Sequence, residues 1–227
     1  MLRVIAIDGP AASGKSSTAA LVARRLRWAH LDSGALYRAL TLARLDNGET
    51  DELVPASRVL ALAERLPVRL VLLGAEFQPE VAGVDVQEAI RGERVTAAVS
   101  ALAALPEVRT WVNAQQRRAV ADHPGGVVVD GRDIGTVVFP EAPLKIFLTA
   151  TPDERARRRL SQRGQDVDGA LVRRESEALA ARDAADSNRS VAPLKPAADA
   201  VLLDTTALTL EAQVAQVVEL ARQRFPG

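Results

Sequence analysis

An apolar run, "RVIAID", stops at Gly9, and the chain continues "GPAASGKSST" before a new apolar periodicity begins. Glycine and proline disfavour the interiors of helices and strands, so this stretch marks a place where bare backbone is needed. Its spacing is Gly9, four residues, Gly14, Lys15, Ser16, the G-x-x-x-x-G-K-[ST] pattern whose backbone N–H groups curl around a phosphate chain. In that pattern the lysine reaches the β and γ phosphates, and the hydroxyl binds Mg²⁺. The nucleotide-binding set is then Gly9, Pro10, Ala11, Ala12, Ser13, Gly14, Lys15, Ser16 and Ser17. A chance turn between a strand and a helix is the competing account. Context opposes it: "RVIAID" reads as a buried strand, and "KSSTAALVARRL" as a helix with an apolar face at Ala19, Leu21, Val22 and Leu26. Only three of the 29 basic residues are lysines, and one of them stands where the loop requires it.

The rest of the chain sets that loop in an α/β frame. Strand-length apolar runs recur at "RVIAI", "GVVVD", "LKIFLTA" and "DAVLLD". Helical patterns start at Lys15, Gly34, Glu52, Pro106, Pro152 and Leu210, with another through residues 170–186. Such alternation predicts a parallel sheet covered by helices. Residues 67–92 break the rhythm, with two or three short strands separated by Gly74, Pro79 and Gly83, and read as a small antiparallel insertion. Residues 163–170, "RGQDVDGA", are expected to be mobile.

Composition limits the partners. With 227 residues and 48% apolar content, one large domain with a sizeable core is expected. Net charge is zero, which argues against nucleic acid and anionic membranes as partners. The chain has no cysteine, consistent with a reducing compartment. The run from Val4 is broken by Asp8 and Gly9, so no signal peptide is expected and the location is read as cytoplasmic.

Four further stretches carry chemistry. In "VVVDGRDIG", Asp130 ends an apolar strand, where an acidic residue could support the Mg²⁺ shell or simply cap a turn. Arg132 and Asp133 follow it at the strand's carboxyl end, where open α/β sheets bind ligands. In "LDSGALYRAL", Ser33 can cap the next helix, a role that does not account for Tyr37 on the same face or for Arg38 beside it. In "RDAADSNRS", Arg182, Asp186 and Arg189 form one stripe if the helix persists, unless they are a solvated, charge-paired face. In "DERARRRLSQR", Arg155, Arg158, Arg159 and Arg163 crowd one side, a repulsion that bound polyphosphate would relieve, although a general arginine bias also accounts for it.

Taken together, "IDGPAASGKSS", "LDSGALYRAL", "DGRDIGTVVFPEAPLKIFLTA" and "RDAADSNRSVAPLKPAADAVLLDT" resemble the bacterial cytidylate kinases in order and over nearly the whole chain. That resemblance implies a P-loop kinase three-layer α/β fold with a parallel sheet, a helical lid at about 154–189, and a substrate-binding region at about 34–123 that holds the insertion. The core would comprise 1–33, 124–153 and 190–227. It implies base contacts from Ser33, Arg109 and Asp133. Tyr37, Arg38, Arg132 and Arg189 would contact the substrate phosphate, and Ser100, Arg182 and Asp186 the sugar. Catalytic roles would fall to Lys15, Arg132, Arg158 and Arg159, and metal support to Ser16 and Asp130. ATP with Mg²⁺ would phosphorylate CMP and dCMP, and the chain would act as a monomer. The loop differs from many members in its small residues, but Ser16 keeps the hydroxyl.

Two other readings stay open on sequence. A kinase of a small hydroxylated metabolite would need a carboxylate base, for which Asp32 is the candidate. A nucleotide-switched binding protein should carry Asn-Lys-x-Asp, and no Asn-Lys pair occurs in the chain.

Overall fold

The computed structural model describes residues 3–49 and 54–226. Among them the strands are β1 (Val4–Asp8), β2 (Ala29–Asp32), β3 (Val68–Leu73), β4 (Glu76–Val81), β5 (Val84–Asp85), β6 (Val127–Gly131), β7 (Leu144–Thr149) and β8 (Val201–Asp204). The helices are α1 (Lys15–Leu26), α2 (Gly34–Asp46), α3 (Ala56–Arg65), α4 (Glu93–Leu102), α5 (Pro106–Ala121), α6 (Pro152–Gln162), α7 (Gly169–Ser187) and α8 (Leu210–Arg224). The helix expected from Glu52 begins at Ala56, and its first expected residues lie outside the described ones. The chain divides into two compact units, Met1–Trp28 with Gly126–Gly227, and Ala29–Gly125.

The first unit is built on parallel strands. β1 pairs with β6 on one side and β7 on the other, and β7 pairs with β8. β1 and β6 are buried along their whole length, as strands covered on both faces should be. The core joins Ile5 and Ile7 of β1 to Val22 of α1, Ile146 and Leu148 of β7, and Val214 and Val217 of α8. Parallel register aligns Ile7 with Asp130 and Asp8 with Gly131. The residues that follow β1 and β6 therefore emerge side by side at one edge.

The second unit holds the irregular region. β3 and β4 pair antiparallel, as do β4 and β5, while β2 pairs with β4 in parallel. Pro79 does not separate strands as expected. It lies inside β4 opposite Leu70, past the two residues that pair with β2, and its carbonyl accepts from Val86 N at 3.1 Å. Proline lacks only the donor, so the position is tolerated where the carbonyl alone is used. Helices α2, α3 and α5 surround a core of Leu36, Leu40, Val59, Val108 and Val112.

Tight packing at one glycine closes the first unit beside the start of β6. A Cβ on Gly126 would meet Trp28 ring atoms at 2.1 to 2.4 Å. The same ring packs T-shaped with Phe225, with centroids 5.0 Å apart, and carries the Arg3 guanidinium 5.3 Å from its centroid. Gly126→Ala must push this ring out of place, so urea unfolding should show a loss of about 1 to 3 kcal/mol with altered tryptophan fluorescence. An unchanged midpoint would mean that the ring has room to move.

Candidate active site

The loop after β1 is shaped by contacts that leave no room for side chains. A Cβ at Gly9 would sit 2.4 Å from the carbonyl oxygen of Leu148 in β7, so only glycine fits there. Gly14 has φ +89, a left-handed value, and hands the chain to α1. Nζ of Lys15 turns back onto the loop and donates to the carbonyl of Pro10 at 3.1 Å. Lys15 is buried, as is Ser13. The Ser13 hydroxyl lacks a hydrogen-bond partner, an open polar atom inside a loop that phosphate oxygens would fill.

Parallel pairing of β1 and β6 brings the expected metal residues together. Ser16 Oγ donates to Asp130 Oδ2 at 2.5 Å, and Asp130 is only 1% exposed. A hydroxyl and a carboxylate are hard oxygen donors, and a site with so few protein ligands suits Mg²⁺, which takes its remaining ligands from phosphates and water. Among the described residues no cluster of three or more acidic or histidine side chains could hold a metal by itself. The Ser16 and Asp130 oxygens fit Mg²⁺ sharing its remaining ligands with phosphate and water.

Asp8, at the end of β1, was not singled out from sequence. Its two carboxylate oxygens accept from Ile134 N at 2.9 Å and Gly135 N at 2.8 Å, which fastens the π-helical turn Ile134–Val138 behind the loop. Burial pushes the Asp8 carboxyl up to about 6, with the Asp133 charge adding to it; the two backbone donors and Lys15 pull the other way. Asp133 caps that turn and is buried, and its carbonyl accepts from Val137 N and Val138 N.

Arg155, Arg158, Arg159 and Arg163 each face a carboxylate. Arg158 donates through Nε to Glu154 at 2.9 Å and through its two terminal nitrogens to Thr205 at 3.0 and 2.6 Å, and one of those nitrogens stands 3.8 Å from where a Gly14 Cβ would be. Arg159 and Arg163 share Glu175 of α7, at 2.8 and 3.1 Å. Burial, followed by the charge of Arg163, lowers the Arg159 guanidinium from its ordinary value. Arg155 bonds Asp183.

The expected helical stripe is interrupted. α7 ends at Ser187, so Arg189 lies beyond it, yet Arg189 reaches Asp186 Oδ1 while Arg132 donates to Asp186 Oδ2 at 2.9 Å. Asp186 is buried, so this is no solvated surface pairing. Burial works to raise the Asp186 carboxyl, but Arg132 and Arg189 outweigh it and hold it below the ordinary carboxylate value. Arg182 is half-buried on the same helix.

In the second unit, Ser33 stands at the start of α2 but makes no cap bond with its side chain. Asp32 Oδ1 accepts from Gly34 N instead, at 2.9 Å, and Asp32 Oδ2 faces Arg91 at 3.4 Å. The capping role expected of Ser33 thus belongs to its neighbour. Gln116 donates to the Ser33 carbonyl at 2.9 Å, which the sequence reading missed. Arg109 is buried on α5, donates to the Ala103 carbonyl at 3.0 Å and lies 5.6 Å from the Tyr37 ring centroid. Arg38 is fixed by Ile90 O at 3.1 Å and Thr96 Oγ1 at 3.0 Å, and Ser100 is exposed on α4.

A parallel α/β unit with a phosphate loop at the carboxyl edge of its first strand, and a carboxylate from the neighbouring strand on the loop's hydroxyl, defines a P-loop nucleotide-binding protein. The family model for cytidylate kinase matches residues 5–223, and the chain belongs to the cytidylate kinase family. It is 46% identical over 226 residues to a cytidylate kinase of Pseudomonas paraeruginosa, covering 97% of this chain and 96% of that one. It is 47% identical to the cytidylate kinase of Pseudomonas fluorescens, covering 99% and 97%. Two solved structures share the fold: TT1252 from Thermus thermophilus, at 19% identity and a TM-score of 0.50 over 100% of this chain and 99% of that one, and an uncharacterized protein from Eubacterium ventriosum, at 10% identity and 0.51 over 99% and 100%. Among the described residues no helix is long and apolar enough to cross a membrane.

The raised Asp8 has a measurable consequence. Its folded value of about 6 lies above the ordinary 3.8, so the protonated form favours the folded state. That stabilisation is complete below about pH 4 and is lost as pH rises through about 6, on the order of 2 to 3 kcal/mol in all. Urea unfolding from pH 4 to 8 should show the wild type losing that amount relative to Asp8→Asn, a comparison in which the other titrating groups cancel. Parallel profiles would show that Asp8 does not titrate in this range.

Proposed function

We propose that this chain transfers the γ-phosphoryl group of ATP to CMP and dCMP. The observation that best supports the reading is the Ser16 to Asp130 contact on the phosphate loop, taken with family membership over nearly the whole chain. Ser16 and Asp130 would hold Mg²⁺, which supplies charge neutralisation on the donor phosphates.

A nucleoside monophosphate already presents a nucleophilic oxyanion, so no general base is needed, and catalysis reduces to alignment and charge stabilisation. Lys15, with backbone N–H groups of the loop between Gly9 and Lys15, would hold the donor phosphates, and Arg158 and Arg159 would meet transferring charge. Arg38, Arg132 and Arg189, with Tyr37, would grip the acceptor phosphate, arginine forks being suited to paired oxygens. Ser100, Arg182 and Asp186 would bind the sugar. Residues 154–189 are assigned the part of a lid and 34–123 that of the acceptor-binding region, the remainder forming the core. A cytoplasmic monomer belongs to the same proposal. The reading of a metabolite-alcohol kinase is weakened by Asp32, whose carboxylate is taken up by Gly34 and Arg91.

Cytosine offers an N4 amino donor with acceptors at N3 and O2, whereas uracil reverses two of these. Asp133 can accept from N4, and Arg109 and Ser33 can donate to N3 and O2. Two reversals at about 1 to 3 kcal/mol each predict at least about a thirtyfold lower kcat/KM for UMP. ADP formation measured across CMP, dCMP, UMP, AMP and shikimate tests the acceptor class, and activity confined to an alcohol would refute it. Asp133→Ala should narrow the CMP to UMP ratio by damaging CMP more; an unchanged ratio would assign the base to other residues.

Lys15→Ala should lose about 3 kcal/mol or more of transition-state stabilisation while keeping a cooperative melt, because the side chain faces the loop and not the apolar core. A variant that keeps most of its kcat would sink the assignment of the loop.

A further inference from the structure

Ala11 lies in the turn of the phosphate loop, and side chains hold both of its backbone groups. Its N–H donates to Asp183 Oδ1 at 3.2 Å, and its carbonyl accepts from Arg155 Nη1 at 3.1 Å. Asp183 and Arg155 are themselves an ion pair, through Asp183 Oδ2 and the same Nη1. Arg155 also donates through Nε to the carbonyl of Ala150, just past β7, at 3.2 Å. The three groups therefore close a ring between loop, α6 and α7. The Ala11 methyl completes the enclosure, buried in an apolar cluster with Ala156 and Leu160 of α6 and Val172 and Leu179 of α7.

Two features make this more than a fold contact. Ala12, the next residue, has φ +59, a left-handed conformation that a residue with a Cβ keeps only when its surroundings hold it there. The ring fixes the peptide that enters this turn. Asp183 also sits in the helical turns that carry Arg182 and Asp186, and Asp186 in turn orients Arg132 and Arg189. The Asp183 carboxylate thus joins that end of α7 to the loop.

We propose that Asp183 and Arg155 are a positioning pair that fixes the phosphate loop at Ala11 and couples its conformation to the acceptor-contacting end of α7. Neither touches a reacting atom; they act through the loop backbone. An acceptor that restrains α7 pre-orders the loop, so that ATP then binds at a smaller entropic cost, and by reciprocity ATP tightens the acceptor. The acceptor half of this inference rests on the function proposed above, but the loop half does not.

Calorimetric titration decides it, with a non-hydrolysable ATP analogue titrated with and without CMP, and CMP titrated with and without the analogue. In the wild type each ligand should tighten the other by about fivefold or more. In Asp183→Ala the analogue should bind about tenfold more weakly on its own and the mutual tightening should fall towards one, while CMP alone binds within about twofold of wild type. Asp183→Asn keeps an acceptor for the Ala11 N–H but loses the ion pair, and should fall between the two. It carries the test if the alanine variant does not fold. A purely structural pair would lower the melting temperature and leave both the analogue affinity and the tightening factor at wild-type values, and that result overturns the proposal. If the wild type binds the analogue but not CMP, the acceptor reading fails separately; analogue affinity in the variants then decides, its loss supporting the pair and its retention refuting it.

Discussion

The close approach of Gly9 to the Leu148 carbonyl is the constraint on which the first unit's chemistry depends. A parallel strand pair leaves the residues after β1 beside those of β7, and the 2.4 Å available to a Cβ there admits only glycine. Because the chain passes this point, the loop can turn within the sheet edge and begin α1 immediately, so that the helix N-terminus opens directly on the loop. The same register places Asp130 within hydrogen-bond reach of Ser16. One steric condition thus fixes a donor cradle and an acidic partner together, with no long side chain needed to bridge them.

Charge balance is the second organising force. An arginine-rich chain with zero net charge must distribute carboxylates so that guanidinium groups do not repel one another where they gather. Glu154, Glu175, Asp183 and Asp186 each serve arginines of α6 or its surroundings. These pairs are partly shielded from water, where a carboxylate with two arginines orients both at the cost of its own desolvation. Asp186 shows the balance directly: burial would raise its carboxyl, and the two arginines more than reverse that.

Much of this was legible in the sequence because the decisive features are local. The phosphate loop, the buried strands β1, β6 and β7, and helices α1, α5, α6 and α8 follow from spacing and periodicity. β2 was missed, since four residues reading "AHLD" offer too little alternation to stand out, and α4 was missed because Gly92 gives it no capping side chain. Pro79 reads as a break because a proline's effect depends on whether its strand position needs a donor, and only pairing reveals that. Ser33 reads in sequence as the cap that Asp32 makes, both residues being chemically able to do it. Arg155 and Asp183 were both in view as members of charged runs, but their partner is a backbone group in the phosphate loop, 144 and 172 residues away in the chain. No local pattern carries that information.

The paired arginines also bear on how such a site can wait for its ligands. An unpaired guanidinium beside other cations would either extend into water or draw in a stray anion, and in both cases it would have to be repositioned when phosphate arrived. Holding Arg132 and Arg189 on one buried carboxylate keeps their forks in place with their charge partly balanced, and planar guanidinium groups retain donors on the edge not facing Asp186. A phosphate held there as proposed would add to the cluster without displacing the carboxylate. The cost of ordering two long side chains is met during folding rather than on binding, and that is the physical advantage of building the site from ion pairs instead of free cations.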